Sequence, residues 1–262
     1  MLREVDTHAG ACVHAKDVIG SLRRTALFAV RFFECNPLKY EPTRCYNPVD
    51  TALTYLWNRM HYRAVARPYG LIHVDPRTIR WNLRIPPRVW PIGLILDGNW
   101  DTTWRRPVDI AWKIRSMHQR FQLGFDWLET DLFRHFYGPR FEQSDGPVKG
   151  ANDIAELVAR YERVYDHLYT LMRDEGFKTP TLSEPDISFV YVHIARNGEL
   201  MYTLEGNHRL GLALALDLET IPVRVATRHR VWQLVRERLK AGSLLTEDYA
   251  AHPDLHDIIG ET

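Results

Sequence analysis

The chain reads as an α+β protein: the strands of one mixed sheet, preceded by a helical N-terminal extension and interrupted by a large helical insertion. Three observations carry that reading. A strand–turn–strand pattern surrounds Asn197-Gly198, a long helical stretch precedes it, and a further strand-like run, Leu71–Val74, lies far upstream. Strands and helices that come in blocks, rather than in strict alternation, specify α+β over regular α/β.

Each element follows from local pattern. In residues 1–66, Val18, Ile19, Leu22 and Leu27 suggest a short amphipathic helix. Asn36-Pro37 and Asn47-Pro48 interrupt the extension, and 52–64 read as a second helix. The strand at 71–74 stops at Asp75-Pro76. A second apolar run, Gly93–Leu96, follows Pro86-Pro87 and Pro91 and ends at the turn Asp97-Gly98-Asn99. Residues 108–175 are helical by period, and the insertion is expected over about 102–180. Ile154, Leu157, Tyr161, Val164, Leu168 and Leu171 step by three and four, which puts all six on one core-facing stripe. After it come a strand at 187–194, the Asn197-Gly198 hairpin, a returning strand at 200–204, a helix from Asn207 to Leu216, a strand at 221–225 and a closing helix from Trp232 to Lys240. The sheet domain is expected over 67–240, with 241–262 as a tail.

Composition narrows the function classes. Lys plus Arg number 34 and Asp plus Glu 33, a net charge of +1, which lacks the basic excess of a DNA-coating protein. Nucleic acid is therefore not an expected partner. No apolar run reaches the ~18–20 residues of a membrane span. Cys12, Cys35 and Cys45 form no C-x-x-C pair and read as reduced thiols of a cytoplasmic protein. No P-loop, H-E-x-x-H, G-x-G-x-x-G or G-x-S-x-G motif occurs.

The chemistry concentrates at Glu205-Gly206-Asn207-His208-Arg209, between a returning strand and a helix. A helix N-terminus offers free N–H groups and a positive dipole end, and so favours phosphate. Gly206 permits close backbone approach, Asn207 suits a cap, and His208 and Arg209 add side-chain donors. Glu205 is placed to hold a divalent metal. Asp97 and Asp101 are candidate general bases beside a Gly turn. Arg228 and His229, at a strand end, are candidate phosphate contacts. A plain structural corner, an Asx turn and a solvated strand end are the corresponding readings without function.

The segments 197–210 and 213–225, with Leu71-Ile72-His73-Val74-Asp75-Pro76-Arg77 upstream, resemble the ParB/sulfiredoxin-like superfamily. The closer match covers the later segments, and a looser one spans 71–230 around the helical insertion. Sulfiredoxins carry a cysteine before the His-Arg pair, where this chain has Asn207. Partition-type members continue into a helix-turn-helix domain, for which residues 232–262 are expected to be too few. The free serine kinase branch carries Asp-Gly-His-His-Arg, closest to 205–209, with Glu for Asp and Asn for the first His. That resemblance implies ATP or ADP with Mg²⁺, held by Glu205 and by Gly206, Asn207, His208 and Arg209. It also implies an acidic base and phosphoryl transfer to a small hydroxyl-bearing acceptor. Two other classes remain: a nucleotide-responsive DNA-associated or nuclease-like protein, and a non-enzymatic module that binds a protein. The oligomeric state is not readable from the sequence.

Overall fold

The computed structural model describes residues 48–83, 91–103, 105–108, 111–144, 146–178, 189–203, 206–243, 249 and 251–260. The chain divides into two units, 1–42 and 43–262, and all described residues belong to the second. The expected helix at 18–27, the three cysteines, Pro86-Pro87, Ile187, Leu204 and Glu205 lie outside the described residues.

The α+β class is correct: helices accompany one mixed parallel and antiparallel sheet. Helix α1 (Pro48–His61) opens on a proline, whose missing N–H costs nothing at a first helical position. It buries Asp50, Thr51, Thr54 and Asn58. Asn58 Nδ2 donates to Gly93 O at 2.8 Å, and Thr51 Oγ1 accepts from Ile92 N at 3.3 Å. These contacts tie α1 to the sheet, so the expected boundary at 66 moves upstream of α1.

The strands are β1 (Leu71–Val74), β2 (Trp81–Leu83), β3 (Leu94–Leu96), β4 (Arg105–Pro107), β5 (Val190–Ile194), β6 (Leu200–Tyr202) and β7 (Ile221–His229). Their order is β1-β7-β5-β6-β2-β4. Strand β7 is the spine, with every residue buried. Along one edge it pairs antiparallel with β1 through 221–224 and then parallel with β3 through 227–229. Along the other it pairs parallel with β5. The sequence reading ended this strand at Val225. It continues because Arg228 and His229 beyond it are buried with partners, Arg228 on Asp254 above all.

Strand periodicity of two splits the sheet into faces. Val190, Val192, Val223 and Val225 join the main core with Leu210, Leu212 and Ala213, while Phe189, Tyr191 and Ala226 face a smaller cluster with Ile92. Between β3 and the insertion lie α2 (Trp100–Thr103) and β4. Since β4 pairs with β2, the helical insertion begins after Pro107 rather than at 102. It contains α3 (Trp112–Phe121), α4 (Gly138–Gln143), α5 (Ile154–Tyr161) and α6 (His167–Glu175).

A π-turn at Glu162–Asp166 joins α5 to α6. Each π-turn adds one residue and rotates the following face. The predicted stripe therefore holds at Ile154, Leu157, Tyr161 and Leu168 but loses two of its six positions around the turn. Val164 and Leu171 are exposed, while Tyr165, Tyr169 and Met172 turn inward. The later helices are α7 (Asn207–Ala215), α8 (Arg230–Lys240) and α9 (His256–Ile259). The expected tail is not loose: Leu255 and Ile258 enter the main core. Among the described residues no helix is long and apolar enough to cross a membrane.

Candidate functional site

Helix α7 begins at Asn207 after Gly206, which has φ +79° and provides no side-chain cap. A side chain at Gly206 would overlap Phe189 O and lie 2.7 Å from Val190 Cα. The glycine is thus required by close approach to β5, a reason within the fold, as well as by its left-handed backbone. Gly211, one turn on, lets α3 come close: a Cβ there would sit 2.7 Å from Met117 Cγ and 3.2 Å from Ile114 Cα. At the far end Gln122 Nε2 donates to Ala215 O at 2.6 Å. Gly211 in the middle of α7 meets Ile114 and Met117, Gln122 reaches Ala215 and Lys113 acts on His208, so the two helices run in the same direction with their N-termini on one side.

Two lysines, Lys113 and Lys149, act on His208 at that shared end. Neither helix has an acidic residue in its first turn, and neither N-cap residue, Ala111 or Gly206, contributes a side-chain hydrogen bond. Lys113 lies in the first turn of α3, against the usual preference for anionic groups there. Lys149 sits at the tip of a two-residue hairpin closed by the Val148–Ala151 bridge, with φ +55°. Left-handed backbone is disfavoured for lysine, and hairpins of this kind prefer Asn, Asp or Gly there. The guanidinium of Arg160 holds the turn by donating to Lys149 O at 2.6 Å and Gly150 O at 3.1 Å.

His208 is packed on the wall of the insertion. Its ring lies 4.1 Å from that of Tyr165 and 5.7 Å from that of Tyr161. Its Nε2 is 3.4 Å from Tyr161 Oη, which is 2.8 Å from Tyr137 Oη. Burial drives the His208 pKa well below the ordinary histidine value, and the charges of Lys113 and Lys149 push it the same way. The imidazole is neutral at pH 7, so the side-chain donor expected at His208 is an uncharged one. Arg209 is half-buried, its guanidinium 5.6 Å from the Phe177 ring centroid, and Asn207 is half-buried beside it. Burial also raises the Tyr137, Tyr161 and Tyr165 pKa values, so none of these phenols ionises near neutrality.

The other predicted site residues gather elsewhere. Asp101 is fully buried and held by Arg196, whose Nη2 and Nε approach it at 2.7 and 2.9 Å and whose N–H donates at 3.1 Å. Asp97 is exposed and paired with Arg230 Nη1 at 2.8 Å. His229 caps α8 by accepting from Val231 N at 3.1 Å and contacts Gly98 O at 2.8 Å through Nε2. Arg228 is bound to Asp254. All four cluster at the C-terminal ends of β3, β5 and β7. Gly206 abuts the start of β5, whereas Arg196 follows its end. Six residues of extended chain separate those levels, about 20 Å. The expected base and the expected phosphate cradle are therefore not brought together, and Arg228 and His229 do not reach 206–209.

Sequence reasoning missed Lys113, Lys149 and the tyrosines of the insertion. The signal for Lys149 was a lysine directly before Gly150 at a turn; nothing in sequence links Lys113 to the motif, because only the α3–α7 packing does. Among the described residues, no group of three His, Cys, Asp or Glu side chains is arranged to hold a metal ion. The expected Mg²⁺ ligand, Glu205, lies outside them. Comparison with protein-family models, curated proteins and solved structures gives no match.

Proposed function

We propose that the chain binds a phosphate-bearing ligand, a nucleotide such as ADP or ATP, at the paired N-termini of α3 and α7. The observation that carries this reading is the convergence of two helix N-termini lacking first-turn carboxylates with Lys113, Lys149 and Arg209. First-turn amides and the positive dipole ends favour an oxyanion, and Arg adds a bidentate fork. The ParB/sulfiredoxin-like resemblance of 205–209 points to the same place. Neutral His208 supplies a hydrogen bond and a wall shared with Tyr165, not a charge.

Phosphoryl transfer by way of Asp97 or Asp101 is not part of this proposal, since both carboxylates are engaged by arginines at the other end of the strands. Mg²⁺ enters only through Glu205, and no step is routed through it. A thermal-shift screen of ADP, ATP and inorganic phosphate, with and without Mg²⁺, tests the reading. A saturable rise with ADP supports it. No rise with any of the three, or a rise only with duplex DNA, overturns it.

A further inference from the structure

Arg228 does hold an oxyanion, but the anion belongs to the chain itself. The Asp254 carboxylate receives Arg228 Nη2 at 2.5 Å and Nε at 3.0 and 3.1 Å. Trp232 Nε1 donates to it at 3.0 Å, and Arg236 Nη1 stands 3.3 Å away. Arg236 also donates to Asp254 O, to Ala64 O at 3.1 Å and to Asp257 at 2.7 Å. Arg228, Trp232 and Arg236 are 5%, 1% and 1% exposed.

Every side-chain donor around that carboxylate comes from β7 or α8. The acceptor alone arrives on the separate segment 251–259. A guanidinium offering Nε and Nη2 side by side, supplemented by a second guanidinium and an indole N–H, is the donor set that recognises planar or tetrahedral oxyanions. The set lies at the C-terminal ends of the parallel strands β3, β5 and β7, the position at which open sheets take ligands. The segment itself is held by few polar contacts besides Asp254. His252 Nε2 donates to Gly198 O at 2.8 Å, its Nδ1 accepts from Asp254 N at 3.1 Å, and Leu255 and Ile258 set its register.

We propose that Arg228, Arg236 and Trp232 form an oxyanion-binding pocket and that Asp254 fills it as a tethered stand-in, in competition with an external carboxylate or phosphate. This pocket is separate from the α7 site. A tethered competitor acts at an effective concentration of order mM, so external anions register only when they displace it.

The first experiment uses the wild-type chain. Hydrogen exchange of the backbone amides of Leu255–Ile259 is followed in phosphate or formate, each at roughly 50 mM, against chloride of equal ionic strength. Displacement predicts exchange about tenfold faster in at least one of the two anions, with α3 unaffected. Formate acting alone assigns a carboxylate ligand, and phosphate acting alone a phosphate. Unchanged exchange in both makes Asp254 a permanent core ion pair and overturns the proposal, whether or not variants fold. In the full chain, Asp254→Ala should bind the same anion saturably in calorimetry where the wild type does not, and adding Arg228→Gln should abolish that binding. A folded Asp254→Ala chain that binds neither anion contradicts the pocket.

Discussion

Acidification should destabilise this protein through its buried histidines, and His193 lets the effect be worked through. It lies on β5, is 5% exposed, and its Nδ1 has no hydrogen-bond partner. Its register partner on β7, Thr227, is fully buried and also leaves its Oγ1 unpaired. Trp100 packs against His193, ring centroids 5.8 Å apart. Burial pushes the His193 pKa down to about 3 from 6.5. The unfolded chain therefore takes up the proton first as pH falls. Stability due to neutral His193 is complete above about pH 6.5 and is lost progressively toward pH 3. At 1.36 kcal/mol per unit, the drop from pH 6.5 to 5 removes about 2 kcal/mol, and the full window about 5 kcal/mol. Other groups titrate over the same range, so the assay is a difference. Urea unfolding of wild type and His193→Phe is compared from pH 7.5 to 4.5. Below pH 6.5 the gap between the two stability curves should shift in favour of the variant by about 1.4 kcal/mol per pH unit. Parallel curves would refute the reasoning and mean that His193 titrates normally or finds a partner.

Three further outcomes are expected. Gly206→Ala should lose about 2–4 kcal/mol in urea unfolding, because its Cβ meets the β5 backbone and its φ is left-handed. Asp101→Asn should lower the urea midpoint by weakening the hydrogen-bonded ion pair with the half-exposed Arg196. It should nevertheless leave ADP affinity unchanged, since it lies at the far end of β5. Tyr161→Phe should cost about 1 kcal/mol through the lost contacts to Tyr137 and His208, measurable by thermal unfolding.

The sequence made β1, β5, β6, the start of β7 and the hairpin legible because their signals are local, whereas the short strands β2 and β4 were not read. Leu71–Val74 is a strand as expected, and Asn197-Gly198 turns the chain between β5 and β6. Gly198 is further fixed by Trp232, whose ring lies where a side chain would go. What stayed hidden depended on tertiary partners. Strand β7 outlasts its apolar run because Arg228 finds Asp254 from the C-terminal segment. The stripe of α5 and α6 slips at a π-turn, which leaves no mark in the hydrophobic period. At the candidate site, Asn207, His208 and Arg209 were found by motif, but the neutrality of His208 follows from tyrosines that lie 43 and 47 positions upstream. Asp97 and Asp101 were placed at the site by analogy of residue type, and the register of β5 moves them away.

Calorimetric titration of ADP into the wild-type chain, Arg209→Ala and Asp101→Asn tests the central claim most directly. A phosphate held by Arg209 makes the first substitution cost about 1.5–3 kcal/mol, a roughly 10- to 150-fold loss of affinity. Asp101→Asn should match the wild type. Equal affinity in a folded Arg209→Ala chain would contradict the account and leave 206–209 as a structural corner between β6 and α7.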